Sequence, residues 1–271
     1  MGTEIFDRLD AAVAAGHPAV LATSIAGDDS GAKVLAVEAG TGAAPEVVAG
    51  AWRDGGLEAA VRRDAIAALA SGASTTRRYG AGGRLDGDDH TVFFEAFAPP
   101  PRMVIFGAVD FSAALARVAK VLGFHVTVCD ARPAFATRAR FPAADEVVVD
   151  WPDRHLAGLG DALGPRDAVC VLTHDAKFDV PAVLGALATD VGYLGAMGSR
   201  RTTDDRTRRL REAGVDEAGL ARVMAPIGLD LGARTPEETA IAICAEIIAH
   251  QTGRRVPNLR RSQGPIHGVP G

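Results

Sequence analysis

Arg102-Met103-Val104-Ile105-Phe106-Gly107-Ala108-Val109-Asp110-Phe111-Ser112 opens the stretch, residues 102–130, whose reading decides the fold. Met103 to Phe106 is a short apolar run, and Gly107 closes it as a tight turn would. Leu115, Val118, Ala119 and Leu122 then recur at the spacing of one helical face, with Arg117 and Lys120 turned away and Gly123 ending the helix. A second apolar run, His125-Val126-Thr127-Val128-Cys129, stops at Asp130. Strand, turn, helix, strand and terminal acid, in that order, make a dinucleotide-type βαβ unit.

The fingerprint inside that unit is altered. A dinucleotide turn reads G-x-G-x-x-G/A, its second glycine admitting the pyrophosphate and its third allowing close helix packing. Here Val109 stands at the second position and Ser112 at the third, while Asp110 adds a negative charge beside a helix N-terminus that otherwise attracts anions. NAD(P) in the usual pose is disfavoured, which leaves a packed Rossmann-like scaffold with an empty first loop as the alternative.

Outward from Asp130, apolar runs at residues 146–149, 168–172, 191–194 and 222–225 follow, each separated by enough chain for a crossover helix. The expected fold is α/β, a doubly wound, mostly parallel Rossmann-like sheet. Its last helix is signalled by Thr235-Pro236-Glu237-Glu238, an N-cap, a first-position proline and a capping-box glutamate, with Ile241, Cys244, Ile247 and Ile248 expected on its buried face. Residues 253–271 carry four arginines with Pro and Gly and no periodicity, and read as a mobile basic tail.

Toward the N-terminus, Ala98-Pro99-Pro100-Pro101 reads as a stiff linker, so a smaller α+β domain is expected over 1–98 and the Rossmann-like domain over 99–252. In the small domain a first helix places Ile5, Leu9 and Val13 on one side, strands are expected over 19–25, 32–39 and 91–97, and a helix over 57–69. Asp28 and Asp29 read as exposed turn acids. The polar segment 71–89, with Arg77 and Arg78, reads as solvated loop or hairpin.

A chain of 271 residues can bury a substantial core. A formal charge of −5 argues against a general nucleic-acid binder. Cys129, Cys170 and Cys244 are odd in number and set in apolar runs, so they read as buried small side chains in a reducing compartment. The alternative, a catalytic thiol, requires a depressed pKa. With no export signal and no apolar run long enough for a span, a cytoplasmic location is expected. No cluster has metal-ligand spacing, and no Gly-x-Ser-x-Gly elbow or Walker loop is present, so neither a resident metal nor a catalytic residue is assigned.

In an open parallel sheet, ligands bind beyond the carboxyl ends of the strands. The candidate ligand-binding residues are those that follow each run: Gly107, Asp110, Asp130, Arg132, His174, Asp175, Gly198, Ser199, Arg200 and Asp230. Gly198-Ser199-Arg200-Arg201 opens a helix and offers amides, a hydroxyl and guanidinium forks to a phosphate; otherwise it is a solvated turn whose arginines pair with Asp204 and Asp205. Asp130 either accepts from a diol or pairs with Arg132 or caps a turn. His174 with Asp175 reads as a general acid/base or ligand-orienting pair, or as a histidine bonded to backbone.

Over residues 103–248 the chain resembles the XdhC/CoxI family of molybdenum hydroxylase maturation factors. The resemblance rests on Ile105-Phe106-Gly107-Ala108, Asp130-Ala131-Arg132 with Arg140-Phe141-Pro142, Leu172-Thr173-His174-Asp175, Tyr193-Leu194-Gly195-Ala196-Met197-Gly198-Ser199-Arg200-Arg201, and Pro226-Ile227-Gly228-Leu229-Asp230-Leu231-Gly232-Ala233-Arg234-Thr235-Pro236-Glu237-Glu238. It implies a molybdenum cofactor chaperone rather than a turnover enzyme, one that binds molybdopterin as cargo and shelters it while a sulfur ligand is installed. Handover would be to a xanthine or carbon monoxide dehydrogenase-type client, with a sulfur-transfer enzyme as a further partner and a homodimer as the assembly. The family's Gly-Gly-Cys-Val-Glu segment corresponds here to Gly55-Gly56-Leu57-Glu58, so no role of that cysteine carries over. The competing functions are an NAD(P)-dependent oxidoreductase and a ligand-free scaffold that contacts the hydroxylase.

Overall fold

The structure is a computed structural model that describes residues 2–38, 44–173, 175–254 and 256. The chain divides into two compact units, Met1–Pro99 and Pro100–Gly271.

The first unit holds α1 (Gly2–Ala14), β1 (Ala19–Ala26), β2 (Lys33–Val37), β3 (Glu46–Ala49), α2 (Gly55–Ser71), β4 (Thr75–Tyr79) and β5 (His90–Phe97). Its antiparallel sheet has the order β3-β2-β1-β5-β4. Side chains of a strand alternate between faces, and β1 uses both: Val20 and Ala22 pack with Leu57, Val61 and Ala65 of α2, whereas Ala19 and Leu21 pack with Ile5, Leu9 and Ala12 of α1.

Three expectations for this unit need correction, and one strand, β3, went unread. Ala12 rather than Val13 completes the buried stripe of α1, and Val13 is exposed, because positions i, i+4 and i+7 share a face more closely than i, i+4 and i+8. β3 is an edge strand too short to announce itself in the sequence. Arg77 is not solvated: it lies in β4 and pairs at 2.9 Å with Asp64, a buried carboxylate that also accepts from the Tyr79 hydroxyl at 2.7 Å. Asp29 is likewise buried, and accepts from the amides of Arg53 and Asp54.

The second unit runs β6 (Arg102–Phe106), α3 (Asp110–Val121), β7 (His125–Cys129), β8 (Glu146–Val148), α4 (Pro152–Leu159), β9 (Ala168–Val171), α5 (Ala176–Leu187), β10 (Tyr193–Ala196), α6 (Arg200–Glu212), α7 (Glu217–Ala221), β11 (Val223–Met224) and α8 (Pro236–Gln251). Every strand pairing is parallel, and the order is β11-β10-β9-β6-β7-β8. The doubly wound Rossmann-like sheet is therefore as expected, with its topological switch between β6 and β9. Met103, Ile105, Val126 and Val128 pack under α3 and α8 on one face, while Val104, Phe106, Val169 and Val171 pack under α4, α5 and α6 on the other. Strands covered on both sides must be apolar throughout, which is why each read as an unbroken apolar run.

The capping box of α8 forms: the Thr235 hydroxyl accepts from the Glu238 amide at 3.1 Å, and the Glu238 carboxylate accepts from the Thr235 amide at 3.2 Å. Its buried face is nevertheless Ala240, Ile243, Cys244 and Ile247, with Ile241 and Ile248 about half exposed. The β7–β8 crossover also departs from expectation, since it is a chain of turns with Phe141 and Ala144 buried in place of an α-helix. The basic tail lies almost wholly outside the described residues.

Candidate ligand-binding crevice

The β6 turn is built for closeness. Gly107 adopts φ +113°, and a Cβ there would stand 3.1 Å from both the backbone nitrogen and Cγ2 of Thr173, so the turns after β6 and β9 touch at a position that only glycine fits. Its amide donates to the Cys129 carbonyl at 2.9 Å. Next to it the Ala108 amide donates to Asp130 at 2.8 Å, and the Val109 side chain packs against the α3-side core. Asp110 points outward and faces Arg140 at 3.6 Å.

Asp130, at the end of β7, is 5% exposed and its carboxylate is fully engaged. It accepts from the Ala108 amide, from the Arg132 amide at 2.9 Å, and from Arg132 Nε and Nη2 at 2.9 and 2.8 Å, which together use the capacity of both oxygens. Burial opposes its ionisation, but the guanidinium and the two amides outweigh burial and hold its pKa below the usual carboxylate value. Of the alternatives open in the sequence, the structure shows the pairing with Arg132 and the turn cap.

The turn after β9 carries Thr173 and Asp175; His174 lies outside the described residues. Asp175 caps α5 by accepting from the Lys177 amide at 3.1 Å, the main reason its pKa is lowered. The turn after β10 leads into α6, whose N-cap is Ser199. The Ser199 hydroxyl accepts from the Thr202 amide at 3.2 Å, so it is committed first to the helix. Arg200 and Arg201 are exposed and have no hydrogen-bond or ion-pair partner among the described residues. The expected alternative, pairing with Asp204 and Asp205, is absent; Asp205 pairs with Arg208. Asp230 is exposed and makes none of the contacts that join the other turns.

A residue outside every sequence motif ties these turns together. Arg206, 4% exposed, donates from Nε and Nη2 to Asp179 at 3.0 and 2.7 Å, and from Nη2 to the Met197 carbonyl at 2.6 Å. The other Asp179 oxygen accepts from the Thr173 hydroxyl at 2.5 Å. Through this chain the turns after β6, β9 and β10 are mutually fixed. Leu210, buried one turn beyond Arg206, marks the inward face of α6, and that i, i+4 spacing was the available signal.

All three thiols are buried and free. Burial pushes Cys129 up to about 12 and Cys244 up to about 11, and raises Cys170, the reverse of an activated nucleophile. Leu57 is fully buried under the first sheet. A cleft of about 560 Å³ in the first unit is lined by Asp29, Lys33, Trp52 and Arg53, but its buried acid is already satisfied by backbone amides. Among the described residues no group of three or more His, Cys, Asp or Glu could hold a metal ion, and no helix is long and apolar enough to cross a membrane.

Comparison with known proteins agrees with this architecture. The family model described as the XdhC Rossmann domain matches residues 103–247, more than half of the chain. A probable xanthine dehydrogenase subunit from Bacillus subtilis is 34% identical over 165 residues, 61% of this chain and 47% of that protein. A molybdenum cofactor insertion chaperone, PaoD of Escherichia coli, is 27% identical over 155 residues, 57% of this chain and 42% of that protein. This chain thus spans less than half the length of the curated relatives it matches. A crystal structure described as a xanthine dehydrogenase from Bacillus halodurans superposes with a TM-score of 0.60 over 90% of this chain and 65% of that one; at 24% identity it bears on the fold alone.

Proposed function

The chain belongs to the XdhC family, and on that premise we propose that it binds molybdopterin cofactor as cargo and assists its maturation and insertion into a molybdenum hydroxylase. The observation that carries this reading is the turn after β10. Two arginines without partners among the described residues stand at the N-terminus of a thirteen-residue helix, at the carboxyl end of a parallel strand, where an anionic ligand gains from the helix dipole and from charge-assisted hydrogen bonds. The terminal phosphate of molybdopterin is such an anion. The name of the PaoD relative points the same way.

The role is that of a chaperone. None of the thiols is activated, and the strand-end acids Asp130 and Asp175 are engaged in holding their own turns. A client of the xanthine or carbon monoxide dehydrogenase type, a sulfur-transfer partner, a homodimeric assembly and a cytoplasmic setting belong to the same proposal. An NAD(P)-dependent activity is disfavoured by the geometry, because the Ala108 amide and the carboxylate of Asp130, which a dinucleotide would need, are bonded to each other. The test is to purify the protein anaerobically from cells with intact cofactor synthesis and release bound pterin by oxidation. A fluorescent pterin in near-stoichiometric amount is expected; no pterin, and no uptake of supplied cofactor, would overturn the reading.

A further inference from the structure

Beyond the ends of β7 and β8 the chain lays out a row of flat groups that the core does not absorb. The Arg132 guanidinium, held by Asp130, lies 4.6 Å from the ring centroid of Phe135 and 6.0 Å from that of Phe178. Arg140 lies 5.7 Å from the Phe135 centroid, and Lys177 Nζ 4.8 Å from that of Phe178. The Trp151 indole leans on Phe178 with centroids 4.9 Å apart and planes inclined by 40°. Phe178 is buried, yet Phe135 and Trp151 keep 44% and 39% of their surface open.

Burial of an aromatic ring is among the larger apolar gains open to a fold, so two half-open rings in one continuous stack are a different case from scattered surface residues. The cations of the row face acids: Arg132 faces Asp130, Arg140 faces Asp110, and Lys177 faces Asp175, while Asp150 accepts from the Trp151 amide. The row therefore selects by flatness and stacking, and leaves recognition of charge to the open arginines after β10.

We infer that Phe135 and Trp151 form a stacking shelf for the planar heteroaromatic ring of the ligand, whose anionic end reaches the turn at residues 198–201. This assigns the ring end of the cargo and so rests on the reading given above. The two open rings follow β7 and β8 and the open arginines follow β10, which gives the ligand a ring end and a phosphate end at different strand ends of one sheet.

The chain has two tryptophans, so Trp52→Phe leaves Trp151 as the sole indole emitter. That variant is titrated with molybdopterin released from a denatured hydroxylase, and separately with pterin, adenosine monophosphate and flavin mononucleotide, with free tryptophanamide correcting for absorption. Quenching of Trp151 by molybdopterin is expected, together with roughly tenfold weaker binding in Phe135→Leu and in Trp151→Leu, the loss typical of removing one stacking ring. Retention of molybdopterin with unchanged Trp151 emission and unchanged affinity in both leucine variants would overturn the shelf and leave the proposed function standing. Quenching by a planar nucleotide without retention of molybdopterin would uphold the shelf and overturn the cargo. If none of the four compounds alters Trp151, the shelf is overturned.

Discussion

Arg200 and Arg206 stand less than two turns apart on α6, and the fold treats them oppositely. Arg206 is buried, clamped to Asp179 and to the Met197 carbonyl, while Arg200 is exposed with no partner among the described residues. The same side chain is thus an internal strut at one position and, at the other, the exposed group proposed to meet the ligand. The deciding factor is which face of the helix meets α5, since a charge can leave water only where a partner and hydrogen bonds await it.

The sharpest way to break the contrast is to remove the buried charge. Arg206→Ala should lower stability by about 3–5 kcal/mol, because Asp179 is left buried and unpaired. Asp179→Leu with Arg206→Leu should recover most of that loss, since apolar residues of similar bulk often replace a buried pair at little cost. Denaturant midpoints of the three proteins decide this. Equal loss in the single and double variants would show that the pair itself, rather than relief of a stranded charge, sets the stability.

Arg200→Ala should do the reverse. Its midpoint should stay where it is, while molybdopterin affinity falls ten- to a hundredfold, the value of one lost charge-assisted hydrogen bond at about 1.4 kcal/mol per decade. Unchanged affinity would take Arg200 out of the site and leave the comparison without its open half.

Asp130 sharpens the comparison as a buried acid with an arginine that is itself half exposed. Its folded-state pKa lies below the unfolded value of about 3.9, so its contribution is present above that pH and is lost as pH falls through the lower folded value. Asp130→Asn should cost about 1–3 kcal/mol at pH 7, and the gap to the wild type should close on acidification. A gap that persists well below pH 3 would mean that the charge is not what holds the turn. At the small end, Arg208 sits on the same helix in exposed pairs with Asp205 and Glu212, and Arg208→Ala should leave the midpoint unchanged, in keeping with the slight worth of solvent-screened ion pairs.

How far the site was legible follows the same division. Ser199 could be read as a helix start, because capping is a local affair of three residues. That its hydroxyl is already committed to Thr202 is equally local. The bond from Ala108 to Asp130 spans 22 residues, and the Asp179–Arg206 pair spans 27, so neither leaves a periodicity that a window along the chain can register. The aromatic row draws Phe135 from the β7–β8 connection, Trp151 from the N-cap of α4 and Phe178 from the first turn of α5, so no window along the chain brings them together.

By itself the sequence determined the parallel, doubly wound sheet of the second unit, because strands covered on both faces are uniformly apolar and amphipathic helices repeat between them. It also determined the start of α8 and placed the polar residues at the strand ends. Only the tertiary structure decided which of those polar groups remain open to a ligand. A carboxylate or guanidinium is satisfied by whatever the fold brings within about 3 Å of it; Asp179 and Arg206 find each other across 27 residues, and Asp130, paired locally with Arg132, is closed off only when the Ala108 amide reaches it from the β6 turn.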